Sequence, residues 1–348
     1  MAEALLAWYD LEKRDLPWRV GKPDPYRTWL SEIMLQQTTV KAVVPYFERF
    51  LKRWKTIEDL AEASLDDVLS LWAGLGYYSR ARNLHQCAQV IAQRPNKQFP
   101  KTIEELQRLP GIGPYTAAAI AAIAFGTPVT PIDSNVERVI ARLFSIKLPM
   151  PLAKTEIKRH ALHLTPSRRP GDFAQAMMDL GATICTPKRP SCLMCPVQKV
   201  CSAHQNGLAN ELPIRKVRAV RPVRYGTFFL VLREDGDILL RRRPPGGLLG
   251  SMLEVPSTEW GDKPVSMDLA LSSAPVKGNW WPVPGDLSHT FTHFRLEVQV
   301  LQSIVPRDIP LTFWAEPNRC LWLPRRDFNK AALPSLMRKI ILHALNTK

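Results

Sequence analysis

The stretch RLPGIGPYTAAAIAAIAFGTPVTPIDSNVERV, residues 108–139, decides the fold of this chain. Gly111 and Gly113 predict a tight turn between two helices. Pro114 suits the first position of the second helix, because its missing N–H costs nothing there. A glycine turn that leads into a helix leaves backbone N–H groups exposed at the positive end of the helix dipole. The hairpin is therefore predicted to bind a phosphate of a nucleic-acid backbone.

The helix after this turn, predicted from Tyr115 to Phe125, is almost entirely alanine and isoleucine, so it can be buried on most sides. Gly126 is typical of a helix end. The spacing of Ser134 and Glu137 then predicts a capping box that opens another helix. Asp133 would lie just before that helix, where the dipole favours a negative charge. Judged alone, such an aspartate is more often a turn residue than a catalytic one.

Helix, glycine hairpin, helix and then an aspartate is an order of elements that resembles the helix-hairpin-helix DNA glycosylase superfamily. The resemblance implies a mainly α fold and a catalytic role for Asp133. In the endonuclease III branch a nucleophilic lysine follows the hairpin, whereas this chain has Tyr115 there. A Schiff base needs an amine. The resemblance therefore points to the monofunctional branch, the adenine DNA glycosylases of the MutY type.

Length and charge independently limit the domain number and the kind of partner that this chain can have. A chain of 348 residues predicts two domains, or three. With 47 Lys and Arg against 32 Asp and Glu, a formal net charge of +15 predicts a polyanionic partner, either nucleic acid or an anionic membrane. No run reaches the ~18 apolar residues of a membrane span, and the first residues do not resemble a signal peptide. We expect a cytoplasmic protein that acts on DNA in the nucleoid.

A helix is predicted over residues 28–50, starting at Ser31 and Glu32 and broken before Pro45. Apolar residues flank Glu32, so an inward-facing carboxyl would lose solvation and its pKa would rise. A protonated carboxylic acid is what a poor leaving group needs. The alternative is a first-turn glutamate that complements the helix dipole. SEIMLQQT closely resembles the adenine glycosylase motif, which implies that Glu32 is the catalytic acid.

The resemblance also implies an adenine pocket. Leu16, Trp18 and Arg19, in the loop RDLPWR, would line the pocket that receives an extruded adenine. Gln175, in FAQAMMD, would read the base edge, and its amide can both donate to and accept from adenine. Without the resemblance, Trp18 would be a core residue and Gln175 an ordinary surface residue.

A second group of residues is predicted to contact DNA. The segment LWAGLGYYSRARN, residues 71–83, places aromatic beside basic residues, which suits stacking on bases and pairing with phosphates. The resemblance makes Tyr77 and Gln37 wedges in the duplex, whereas Tyr78 fits a core position equally well. The predicted DNA-binding residues are Gln37, Thr38, Leu75, Tyr77, Gly111, Gly113 and Ser134.

Four cysteines form a metal-binding motif with the pattern Cys185-x6-Cys192-x2-Cys195-x5-Cys201. Coordination chemistry alone permits either a tetrahedral zinc site or a 4Fe-4S cluster. The spacing resembles the cluster loop of endonuclease III and MutY proteins, which implies a 4Fe-4S cluster. The loop would complete a glycosylase domain over residues 1–205.

Residues 206–222, NGLANELPIRKVRAVRP, read as a basic linker. Residues 223–348 predict an α+β domain, with strands at Tyr225–Leu232, Ile238–Arg242 and Phe294–Val300 and a helix at Pro334–Leu345. This part resembles the MutT-like, Nudix-fold domain of MutY proteins. GGLLGSMLEVPS matches the start of a Nudix box, but the glutamates that would bind magnesium do not follow, which argues against nucleoside triphosphate hydrolysis.

Phe291-Thr292-His293 resembles the Phe-Ser-His segment with which the family reads 8-oxoguanine. Two departures from the family are Ser134, where glycine is usual, and Leu253, where an aromatic residue is common. The resemblance implies a monomeric enzyme that excises adenine opposite 8-oxoguanine or guanine. Glu32 would protonate adenine, and ionised Asp133 would stabilise the sugar cation. The alternatives are a bifunctional glycosylase and lyase of the endonuclease III type, a non-catalytic damage-binding protein and a Nudix hydrolase.

Overall fold

The structure is a computed structural model that describes residues 1–215, 220–328, 331 and 333–346. Contacts divide the chain into unit 1, residues Met1–Glu62 and Asn83–Arg218, and unit 2, residues Ala63–Arg82 and Ala219–Lys348. Residues 216–219 of the predicted linker lie outside the described residues. None of the described helices combines the length and the apolar character of a membrane span.

The helices and strands follow one another as a helical half and a mixed half. The helices are α1 Ala2–Glu12, α2 Pro25–Leu35, α3 Val40–Arg53, α4 Ile57–Glu62, α5 Leu65–Trp72, α6 Ser79–Ala92, α7 Ile103–Leu106, α8 Pro114–Phe125, α9 Ser134–Leu143, α10 Lys154–Leu164, α11 Pro170–Thr183, α12 Ser202–Gln205, α13 Met267–Leu271 and α14 Ser335–Asn346. The strands are β1 Val223–Arg233, β2 Ile238–Arg242, β3 Leu253–Glu254, β4 Trp281–Pro282, β5 Leu287–Thr290, β6 Arg295–Val305 and β7 Cys320–Leu323.

Helix α8 is the buried helix that the alanine-rich sequence predicts. Pro114 is its first residue, and Gly126 ends it in the left-handed conformation with φ of +70°. The alanines let α2 and α11 pack closely against it. At Gly171 in α11 a Cβ would lie 2.6 Å from the carbonyl oxygen of Ala122, so only glycine permits this approach. The prediction for this helix is confirmed.

Helices α1, α9, α10 and α11 enclose a second apolar core of unit 1. Its members include Leu5, Ile140, Ile157 and Phe173, all fully buried. Tyr115 and three of the motif cysteines pack against the same core, so the cysteine loop is anchored on it.

The predicted single helix over residues 28–50 is wrong in its start and in its break. Helix α2 begins at Pro25, because the carboxylate of Asp24 accepts from the N–H groups of its first turn. The break lies between Leu35 and Val40, where Gln37 adopts φ of +56°. Pro45 lies inside α3.

Unit 2 contains a seven-stranded mixed sheet. Its main path runs β3-β2-β1-β6-β4, while β5 also pairs with β6 and β7 with β2. β1 and β6 are parallel over their whole length, from Val223 beside Arg295 to Arg233 beside Val305. The other strand pairs are antiparallel.

Both faces of this sheet are covered, which explains the apolar run in β1. Phe228 and Leu230 point to a core shared with α14, whereas Phe229 packs with Ala270 of α13. The predicted α+β architecture is confirmed.

Candidate active site

Asp133 caps helix α9 with its own side chain. Its carboxylate accepts from the backbone N–H groups of Asn135 at 2.9 Å and Val136 at 2.7 Å, and from Asn135 Nδ2 at 2.7 Å. The predicted capping box is therefore wrong in one respect, because Asp133 and not Ser134 is the N-cap. Three donors and the positive end of the helix dipole satisfy a charged carboxylate at this position.

Glu32 is buried in the middle of α2, with only 7% of its surface exposed. Burial raises the pKa of its carboxyl from 4.5 to about 7, a side-chain hydrogen bond from Tyr115 lowers it, the charge of Asp133 raises it and that of Arg19 lowers it. The helix starts at Pro25, so Glu32 lies beyond the first turn and does not complement the helix dipole. A carboxyl in this environment can hold a proton near neutral pH.

Tyr115 interacts electrostatically with both carboxyl groups and is hydrogen-bonded to that of Glu32. It lies in the first turn of α8, and burial, followed by the charges of Glu32 and Asp133, raises the pKa of its hydroxyl well above the ordinary value. The structure thus brings the three predicted catalytic residues into one electrostatic cluster. At this position the chain offers a hydroxyl and no amine.

A cavity of about 780 Å³ contains three of the four predicted adenine-pocket residues. Trp18, Arg19 and Gln175 line it, whereas Leu16 is buried and is not part of this wall. The ring of Trp18 stands edge-on to Phe47, with centroids 5.3 Å apart. An aromatic face, a guanidinium and an amide in one cavity suit a flat heterocycle with polar edges.

The predicted DNA-binding residues of unit 1 lie at exposed backbone turns. Gln37 is exposed in its left-handed conformation, and the backbone N–H of Thr38 closes the turn onto Leu35. Ser134 is exposed as the first residue of α9.

The two hairpin glycines have different structural roles. Gly111 has φ of +74°, and a Cβ there would lie 2.7 Å from Cβ of Asn83. Gly113 is the N-cap of α8, and a Cβ there would meet open space. A phosphate can therefore approach the backbone at Gly113, while Gly111 is required by the turn itself.

Two tyrosines in unit 2 have opposite environments. Tyr77 has φ of +49° and is 41% exposed, and its ring lies under the guanidinium of Arg80. Tyr78 is buried, and its hydroxyl accepts from the backbone of Gly74 at 3.3 Å, so it is a core residue. Leu75, between two glycines with positive φ, is also buried.

Thr292 and His293 are the exposed central residues of the turn between β5 and β6, which the Phe291 N–H closes onto the Phe294 carbonyl at 2.9 Å. Phe291 stacks on Trp260 with centroids 5.8 Å apart. The hydroxyls of Thr292 and Tyr77 are hydrogen-bonded to each other. A cavity of about 300 Å³ in unit 2 is lined by residues of this turn and of two other segments, among them Tyr77, Arg82, Leu248, Phe291, Thr292 and His293.

The four motif cysteines line one cavity next to Arg142 and His204. Arg142 Nη1 donates to Cys185 Sγ at 3.2 Å and to the Thr186 carbonyl at 2.8 Å. Burial raises the pKa of the Cys195 thiol to about 11, so a thiolate there needs a cation.

The donor set of this cavity is four cysteine sulfurs. Four sulfur ligands fit either a tetrahedral zinc ion or a 4Fe-4S cluster by their chemistry.

A polar network that the sequence did not reveal links Asp133 to the cysteine loop. Asn135 donates to Asp133, and Arg138 Nη2 donates to Asn135 Oδ1 at 2.9 Å. Arg138 Nε also donates to the Cys185 carbonyl at 2.7 Å. In sequence Asn135 and Arg138 do not stand out, because Ser134, Glu137 and Arg142 are polar residues of the same helix.

Two family models match the chain. The HhH-GPD superfamily of base excision DNA repair proteins matches residues 30–164, and the NUDIX domain matches residues 227–343. Among solved structures, a thermostable thymine-DNA glycosylase has a TM-score of 0.54 at 29% identity, covering 59% of this chain and 95% of its own. A complex of endonuclease III with DNA shares the helical fold, with a TM-score of 0.50 at 21% identity over 60% of this chain and 94% of its own.

Curated relatives extend over both matched regions. Human adenine DNA glycosylase is 36% identical over 97% of this chain and 72% of its own length. The adenine DNA glycosylase of Buchnera aphidicola subsp. Baizongia pistaciae is 31% identical over 97% of this chain and 95% of its own length. At this identity over nearly its whole length, the chain belongs to the adenine DNA glycosylases, base excision repair enzymes that act on DNA.

Proposed function

We propose that this enzyme hydrolyses the N-glycosidic bond of adenine mispaired with 8-oxoguanine, and of adenine mispaired with guanine. The observation that carries the proposal is the contrast between two neighbouring carboxyl groups. Glu32 is buried with a pKa of about 7, while Asp133 is capped by three donors. One neutral and one charged carboxyl is the arrangement that splits a glycosidic bond through a cationic sugar.

In this mechanism Glu32 donates its proton to the flipped-out adenine and so makes the base a better leaving group. Ionised Asp133 stabilises the oxocarbenium-like sugar until water adds to it. General acid catalysis of this kind contributes ~10²- to 10⁴-fold to the rate. Tyr115 holds the Glu32 carboxyl by a hydrogen bond.

Extruding the adenine costs a few kcal/mol, which contacts to the opened duplex must offset. We assign the wedges to exposed Gln37 and Tyr77, and the backbone grip to Thr38, Ser134 and the hairpin at Gly113. Trp18, Arg19 and Gln175 would receive the base, whereas Leu16 is buried and does not line the cavity.

Residues 223–348 would read the opposite base. Thr292 and His293 present a hydroxyl and an imidazole from an exposed turn, with Phe291 stacked behind them. The N7–H and the C8 carbonyl distinguish 8-oxoguanine from guanine, and such groups can address both. The cavity beside this turn supports the assignment.

Cys185, Cys192, Cys195 and Cys201 would hold a 4Fe-4S cluster, which supplies a structural crosslink for the loop when bound. The excision step needs only the side chains described above. Because Tyr115 provides no amine, we propose that the enzyme is monofunctional. We also propose that it acts as a monomer.

The test is an excision assay on duplexes with adenine opposite 8-oxoguanine, guanine, cytosine or thymine. We expect efficient cleavage of the first two only, with strand breaks appearing after alkali treatment. Borohydride should trap no protein–DNA adduct. A trapped adduct in good yield would contradict the monofunctional assignment, and equal rates on all four duplexes would contradict the substrate assignment.

A further inference from the structure

Asp179, on helix α11, is a fully buried carboxylate that two arginines share. Arg19 donates to it through Nη1 at 2.6 Å and Nη2 at 2.8 Å. Arg14 donates through its backbone N–H at 3.1 Å and through Nε at 2.7 Å. Both oxygens therefore take part, and the Arg19 pair has the bidentate geometry that fixes a guanidinium in one orientation.

The two arginines, unlike Asp179, line the 780 Å³ cavity to which we assign the adenine. Arg19 Nη1 also donates to the Arg14 backbone carbonyl at 3.1 Å, so the Arg19 side chain is fixed relative to the Arg14 backbone. Arg19 Nε is buried and has no hydrogen-bond partner among the described residues. It is a donor held in place beside the cavity.

Asp179 also compensates charge. Burial would raise its pKa, but hydrogen bonds and charges from Arg19 and Arg14 bring the pKa below the ordinary value, so it is a carboxylate. Arg19 acts on Glu32 in the opposite sense to burial and favours the ionised form of that acid. Asp179 is paired with Arg19 and carries the opposite charge.

Stability alone does not account for such a group. In a buried ion pair the attraction between the charges offsets little more than the free energy lost when both leave water. Such a pair can often be replaced by apolar residues. Its established use is to fix one arrangement of the groups around it. Here the arrangement that it fixes is the wall of the cavity.

We propose that Asp179 is a positioning residue, which holds Arg14 and Arg19 in the wall of the adenine pocket and offsets the charge that Arg19 exerts on Glu32. The inference rests on the proposed function, in which Glu32 is the acid and this cavity receives the base. Besides Arg19, the titratable groups that act on Glu32 are Tyr115 and Asp133.

The test is the pH dependence of single-turnover excision by the full-length protein, normalised to active enzyme. Wild-type activity should fall as pH rises through about 7, where Glu32 loses its proton. Asp179→Asn keeps the shape but leaves the charge of Arg19 uncompensated, so the fall should begin about one pH unit lower. At pH 8 the variant should be roughly tenfold slower than the wild type at the same pH.

A second variant separates charge from misfolding. The double variant Arg19→Gln, Asp179→Asn lacks both the Arg19 charge and the carboxylate that compensates it. The pH at which its activity falls should return towards the wild-type value even if its excision rate is low. Asp179→Glu retains the charge but displaces the carboxylate. The pH at which its activity falls should therefore match that of the wild type, while its excision rate drops at least tenfold. An excision rate of Asp179→Glu equal to that of the wild type would overturn the positioning role. This result is decisive even if Asp179→Asn does not fold.

Glu254 supplies the matched control. This buried carboxylate in unit 2 also pairs with two arginines, Arg241 at 2.8 Å and Arg243. Glu254→Gln should lower the melting temperature without moving the pH at which activity falls. The same behaviour in Asp179→Asn would reduce Asp179 to a structural residue and overturn the proposal.

The outcomes also separate this inference from the proposed function. If the wild type shows no fall near pH 7, or if Glu32→Gln excises adenine at the wild-type rate, the assignment of Glu32 as the acid fails. If wild-type activity falls as expected and the activity of Asp179→Asn falls at the same pH, only the positioning role of Asp179 is refuted.

Discussion

Replacing Glu32 with glutamine should stabilise the folded protein at alkaline pH while abolishing excision. The folded state raises the pKa of Glu32 from 4.5 to about 7, chiefly by burial. A raised pKa means that the folded protein binds this proton more tightly than the unfolded chain does. The stability that the proton provides is complete below pH 4.5 and is lost as pH rises through about 7.

The magnitude follows from that interval. At 1.36 kcal/mol per pH unit, the interval between 4.5 and about 7 corresponds to ~3 kcal/mol. Glutamine has nearly the same shape, can still accept from the Tyr115 hydroxyl and never ionises. Between pH 4.5 and pH 8 the free energy of unfolding of Glu32→Gln should therefore rise by ~3 kcal/mol relative to the wild type. For a domain of this size that corresponds to roughly 6–12 °C in melting temperature.

The assay is a pair of thermal melts at each pH from 4.5 to 8.5, with the difference between variant and wild type as the readout. Glu48→Gln, at an exposed position on α3, is the control and should give a difference that does not change with pH. A Glu32→Gln difference that is equally flat would refute the burial argument, because Glu32 would then titrate alike in the folded and unfolded chains. Excision by the variant within a few-fold of wild type would refute its role as the acid.

Three further results are expected. Cys192→Ser should lower the iron content from about four atoms per chain and weaken DNA binding by loosening the loop, whereas stoichiometric zinc in iron-replete wild-type protein would contradict a cluster. Gly181→Ala should reduce both stability and excision, because its Cβ would lie 2.6 Å from Cβ of Asn135, while Gly261→Ala, which has ordinary contacts, should not. Replacing Thr292 and His293 with alanine should lower the preference for 8-oxoguanine over guanine by ~1–3 kcal/mol, measured as the ratio of excision rates, and a lower melting temperature with an unchanged ratio would indicate mere packing.

The sequence predicted the helices whose signals are local. Pro114, Gly126 and the alanines between them specify α8 without reference to the rest of the chain. The prediction failed for residues 28–50, where an apolar pattern runs through a turn. Gln37 gives no composition signal for its left-handed conformation. Asp24 sets the start of α2 as its N-cap, and Thr39 sets the start of α3 after the break.

The site was predictable to the same degree. Glu32 and Asp133 lie in short motifs, so each could be proposed as a site residue from its neighbours in sequence. Asp179 could not, because its partner Arg14 is 165 positions away and an aspartate in an amphipathic helix is usually exposed. The link from Asp133 through Arg138 to the cysteine loop was hidden for the same reason.

The two carboxyl groups proposed as catalytic have different environments because of where each lies in its helix. Asp133 is an N-cap, and the first N–H groups of α9 have no partner within the helix, so they are free to bind its carboxylate. Glu32 lies in the middle of α2, where the helix uses the backbone N–H groups itself, and burial prevents water from replacing them. Tyr115 is then the side-chain donor that reaches it. Several donors favour the charged form of a carboxyl, whereas burial with a single donor favours the protonated form. The environment of Glu32 therefore suits the acid of the proposed mechanism, and the donors around Asp133 suit its proposed role beside the sugar cation.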